Sequence, residues 1–137
     1  MVTGIDPKTL ITQSRQRAAE HMGRIKNAPA LTFELLHREL SAFILCKFLL
    51  NEDGEDTANF DELAKLSLSR SMKVSKELVE QFDLAKSCDG VSSVMAKKVL
   101  LFMAIQKELG IILPAEQTAS AETLRDISVM VWNALEA

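Results

Sequence analysis

The pattern of apolar and polar positions predicts helices along most of the chain. The strongest segment runs from Val94 to Leu109 and contains neither Gly nor Pro. Apolar residues occupy almost every face of this predicted helix, and a helix that is apolar all round is buried. Gly110 follows at the position of a left-handed cap, and Pro114 ends the apolar run. We therefore expect a buried helix at the centre of the fold.

Further segments show the same helical spacing. A helix from about 7 to 26 has a thin apolar face, and a second, from about 32 to 50, is apolar enough to be the buried partner of the central helix. Asn59 with Glu62 resembles a capping pair, and Ser120 is the expected cap of the last helix. The remaining helices are expected over about 60–68, 75–85 and from 120 to the C-terminus.

These segments add up to an all-α fold, which we expect to be a compact bundle of five or six helices. Asn27 and Pro29 interrupt the helical pattern. If the chain has a boundary, it lies there, with residues 1–28 as an N-terminal helical arm and 29–137 as the bundle domain. The arm either packs at the periphery of the bundle or binds a partner.

Composition and charge narrow the class of protein. With 137 residues and 47% apolar content, the chain is long enough for one domain with its own core. The net charge of −3 argues against a nucleic-acid binder. Basic residues dominate 1–30, whereas 51–62 contains six acidic residues and no Lys or Arg. These two regions are either solvated surfaces or partners that meet within the fold or in a dimer.

The location of the protein is predicted from what the sequence lacks. It has no apolar signal core near the N-terminus and no run of about 18 apolar residues, so we expect a soluble cytoplasmic protein without a membrane role. Cys46 and Cys88 lack a CxxC spacing and lie in or beside apolar segments. Two buried, reduced thiols fit a reducing compartment better than a disulfide does.

No motif indicates an enzyme. His21 and His37 are the only histidines, and they are not spaced with Cys or acidic residues as a zinc site requires. The sequence contains no GxSxG elbow and no glycine-rich phosphate loop. We therefore expect no catalytic residue and no metal, although a pocket that leaves no trace in the sequence stays an alternative.

The segment from Ser92 to the end resembles the second half of an acyl carrier protein. Such proteins have a long helix ending in a Gly-Ile-x-Ile-Pro-like stretch, then a loop and a short last helix. The matching positions are Ile105, Leu109, Gly110, Ile111, Leu113 and Pro114, followed by Glu122, Thr123, Leu124, Arg125, Asp126 and Ile127. The resemblance implies a carrier-like helical fold and a non-catalytic role that depends on contacts with other proteins.

The attachment serine of that family is displaced in this chain. Counting back from Pro114, the position that carries phosphopantetheine is Met95, which has no hydroxyl. Ser93, with Ser92 as the alternative, either serves as a shifted attachment site or simply caps the helix. In the second case the protein is a degenerate carrier without the cofactor.

Two features of the sequence bear on its partners. Lys97 and Lys98 replace acidic residues that carriers usually show at the start of this helix, so enzymes that recognise an acidic helix would not recognise this one.

An alternative from another class is a helical protein-interaction or regulatory subunit unrelated to carriers. That protein would be dimeric or would use residues 1–28 to hold a partner, and both hypotheses predict a protein partner or self-association.

Overall fold

The structure is a computed structural model that describes residues 7–50, 57–70 and 94–136. Within these segments the regular structure is helical, apart from one isolated bridge between Asn59 and Thr123. The prediction of an all-α helical bundle is therefore confirmed. The helices are α1 (Pro7–Lys26), α2 (Phe33–Lys47), α3 (60–70), α4 (Val94–Leu109), α5 (Ala115–Ser120) and α6 (Leu124–Glu136).

Some predictions lie outside the described residues. They are the helix over about 75–85, Cys88, and the acidic residues between 52 and 56. None of the described helices combines the length and the apolarity needed to cross a membrane.

Helix α1 packs along α2 in an extensive contact. Its thin apolar face is enough for this purpose, because Ala18, Met22 and Ile25 are all buried in the same core cluster as α2. Small side chains such as Ala18 allow the two helices to approach closely. The boundary near residue 28 stays a prediction, but α1 contributes directly to the core.

The start of α3 follows the predicted capping chemistry, and α2 begins in a similar way. The hydroxyl of Thr32 accepts a hydrogen bond from the amide of Leu35 at 3.1 Å. The side-chain oxygen of Asn59 accepts one from the amide of Glu62 at 2.9 Å. In both cases an N-cap side chain accepts a hydrogen bond from an amide of the first turn that has no partner within the helix.

The start of the last helix was predicted wrongly at Ser120. That residue ends α5, and the cap of α6 is Thr123, whose hydroxyl accepts a hydrogen bond from the Asp126 amide at 3.1 Å. The carboxylate of Asp126 reaches back to the amides of Glu122 and Thr123 at 2.9 and 3.0 Å. This reciprocal pair is a capping box with an Asp in place of the usual Glu.

Helix α2 ends earlier than predicted, at Lys47 instead of Leu50. Leu49 adopts a left-handed conformation with φ of 59°, and the amide of Leu50 then bonds to the carbonyl of Leu45 at 2.8 Å. This turn directs Phe48 and Leu50 into the core, where both are buried. Burial of these two side chains outweighs the unfavourable backbone of Leu49.

The turn after α4 forms as predicted. Gly110 has φ of +66°, which a residue without Cβ adopts easily. The Gln106 carbonyl accepts bonds from the amides of Gly110 and Ile111, and its side-chain oxygen accepts one from the Leu113 amide at 2.7 Å. Gln106 thereby holds the strand-like tail against the helix, with Leu113 buried.

The central helix is not buried all round, contrary to the prediction. Only Leu101, Phe102 and Ile105 of α4 are buried. The side of α4 opposite to these residues faces solvent, although it is also apolar. The apolar composition therefore reflects two different surfaces on one helix. The exposed residues are Met95, Val99, Leu100 and Met103.

A cluster of three phenylalanines joins α4 to the rest of the bundle. The ring of Phe60, at the start of α3, stacks on Phe48 with a centroid distance of 6.1 Å and meets the edge of Phe102 at 5.5 Å. Phe60 also takes part in the bridge to α6, because its amide bonds to the Glu122 carbonyl at 2.8 Å. One buried residue thus connects four helices.

The two sides of α4 are expected to respond differently to truncation. Ile105→Ala should lower the free energy of unfolding by about 2–5 kcal/mol, because it opens a cavity at a fully buried site. Met103→Ala, on the exposed side, should change it by less than about 0.5 kcal/mol. Urea unfolding followed by circular dichroism measures both values. A loss at Met103 comparable to that at Ile105 would show that this side is covered.

Candidate functional site

The predicted attachment residues cannot be placed in this structure. Ser92 and Ser93 lie outside the described residues, which resume at Val94. Met95, the position at which the carrier resemblance expects the serine, lies in the first turn of α4 with 67% of its surface exposed. The position is open to solvent, but it presents a thioether where a phosphodiester would need a hydroxyl.

The two lysines that replace the expected acidic residues have separate roles. The ammonium of Lys98 lies 3.0 Å from the carboxylate of Asp61 and 5.4 Å from the centroid of the Phe60 ring. The hydrogen bonds from Lys98 and Lys65 hold the pKa of Asp61 below its usual value. Lys98 therefore joins α4 to α3, whereas Lys97 points to the groove beside α2.

The exposed apolar residues of α4 form one continuous surface, which we call the outer face and define as Met95, Val99, Leu100 and Met103. Met95, Val99 and Met103 follow one another at intervals of four residues, and Leu100 lies next to them on the helix. Each of these side chains is about half exposed or more. Among the described residues, the outer face is therefore the candidate interaction surface.

A groove runs beside the outer face, between α4 and the end of α2. It has a volume of ≈ 200 Å³ and is lined by Lys47, Phe48, Lys97, Leu100, Leu101 and Ala104. Burial lowers the pKa of Lys97, so its ammonium lies in a partly desolvated position. The Lys47 ammonium lies 5.9 Å from the centroid of the Phe43 ring. The groove therefore combines apolar walls with two positive charges.

His21 belongs to an ion-pair network between α1 and α2. Its Nδ1 lies 2.7 Å from the carboxylate of Glu39, and Arg24 donates to the same oxygen at 3.2 Å. Burial raises the pKa of Glu39, but the hydrogen bonds from His21 and Arg24 outweigh this and leave the pKa lowered. The ionised carboxylate is nearly buried and fully engaged, so this cluster stabilises the α1–α2 contact.

His37 joins α2 to α6 through a serine. Its Nδ1 lies 2.7 Å from the hydroxyl of Ser128, and its ring stacks on Phe33 with a centroid distance of 5.9 Å. A histidine paired with a serine is the first element of a nucleophilic site. Ser128 is fully buried, however, so a substrate cannot reach its hydroxyl. The pair acts as a structural hydrogen bond between two helices.

Sequence reasoning missed both the outer face and the pair of His37 with Ser128. The pair had a signal, because Ser128 lies four residues after Leu124 on the apolar stripe of α6. A polar residue on a buried stripe needs a hydrogen-bond partner. The outer face had no such signal, because composition alone does not distinguish a helix buried on all sides from one that keeps an apolar side exposed.

The charges of α1 are partly neutralised by carboxylates on other helices. Arg24 meets Glu39, and the Lys26 ammonium lies 3.2 Å from the Glu108 carboxylate of α4.

Cys46 is buried and forms no disulfide. In the three described segments, no group of three His, Cys, Asp or Glu side chains is placed to hold a metal ion.

Comparison with known proteins assigns no family. No protein-family model, curated protein or solved structure matches the chain. The function is therefore inferred from the geometry of the outer face and the groove.

The pair of His37 and Ser128 predicts a specific dependence of stability on pH. Burial and the nearby charge of Arg125 lower the pKa of His37 below its ordinary value of about 6.5. The unfolded chain therefore binds a proton more readily, and stability should fall as pH decreases from about 6.5 through the folded-state pKa. His37→Gln should reduce this loss. Urea unfolding at several pH values measures the slopes.

The same pair can be tested at constant pH. At pH 7, Ser128→Ala should lower the free energy of unfolding by about 1–3 kcal/mol, because His37 loses its partner in a part-buried site. Two results together would contradict this account. The free energy of unfolding would change with pH equally in the native chain and in His37→Gln, and Ser128→Ala would leave it unchanged at pH 7.

Proposed function

We propose that this chain is a non-catalytic, acyl-carrier-like protein that lacks the phosphopantetheine arm and acts in the cytoplasm through protein contacts. The outer face of α4 makes those contacts. The observation that carries the proposal is that α4 keeps a row of large apolar side chains exposed on the side opposite to the core. Such exposure is unfavourable in an isolated protein and favourable when a partner covers it.

The carrier-like part of the proposal is supported by the order of elements after residue 94. A long helix ends at a left-handed Gly110, an apolar tail with buried Leu113 follows, and two shorter helices complete the chain. The resemblance implies the long helix, the apolar tail and a short last helix, and α5 lies where it implies a loop.

The proposed absence of the arm is supported by Met95. Its exposed position in the first turn suits a group that must reach other proteins, but the residue has no nucleophilic oxygen. Ser92 and Ser93 precede α4, where a hydroxyl serves as a helix cap.

A helical interaction subunit unrelated to carriers is the second candidate. One observation favours it: the groove is formed partly by Lys47 and Phe48 at the end of α2, outside the carrier-like segment. This candidate differs from the first in descent, and it would be dimeric or would use residues 1–28 to hold a partner.

The first experiment measures whether the chain accepts the arm. The purified chain is incubated with coenzyme A and a broad-specificity phosphopantetheinyl transferase, and its intact mass is recorded. We expect no gain in mass, because no hydroxyl occupies position 95. A genuine carrier protein in the same reaction provides the control and should gain one arm.

A gain of one phosphopantetheine would contradict the proposal. Its loss in Ser93→Ala or in Ser92→Ala would then identify the attachment serine and make the chain a true carrier with a displaced site.

A further inference from the structure

We draw no further inference here: the strongest candidate, the outer face of α4 with the groove between α4 and the end of α2, is an exposed apolar surface, and nothing in the structure shows what covers it.

Discussion

The packing of Phe60 between Phe48 and Phe102 is the contact on which the arrangement of the helices depends. It brings the end of α2, the start of α3 and the middle of α4 into one aromatic cluster. The backbone bridge of residues 58–60 to residues 122–124 then joins α6 to the same point. Because aromatic rings contribute large buried areas, this cluster determines which side of α4 faces the core.

The orientation of α4 has a direct consequence for function. With Leu101 and Ile105 directed inward, Val99 and Met103 lie on the opposite side of the helix and face solvent. Lys98 strengthens the same orientation through Asp61 and the Phe60 ring. Lys97 and Lys47, in contrast, line the groove.

Much of the fold was predictable because local chemistry determines it. Thr32, Asn59 and Gly110 act at helix ends through single side-chain or backbone conformations that the residue type favours. The end of α2 was not predictable in this way, because burial of Phe48 and Leu50 decides it. The cap of α6 does follow from local chemistry, because Thr123 and Asp126 have the three-residue spacing of a capping box, but the prediction named Ser120 instead.

The candidate site was less predictable than the fold. Its apolar residues are visible in the sequence, but their exposure depends on how α3 and α2 cover α4. Lys47 of α2 and Lys97 of α4 line the same groove although they are far apart in the sequence, and a local pattern cannot indicate this. The carrier resemblance indicates a candidate site at the start of α4, whereas the structure adds the groove beside this helix.

The central claim is that α4 has one side in the core and another open to a partner. The most direct test is the oxidation of methionines by dilute hydrogen peroxide in the native chain, followed by peptide mass spectrometry. Met95 and Met103, at 67% and 57% exposure, should oxidise rapidly, whereas Met22, at 1%, should be protected. Protection of Met95 and Met103 to the same degree as Met22 would show that the outer face is covered, and would contradict the account.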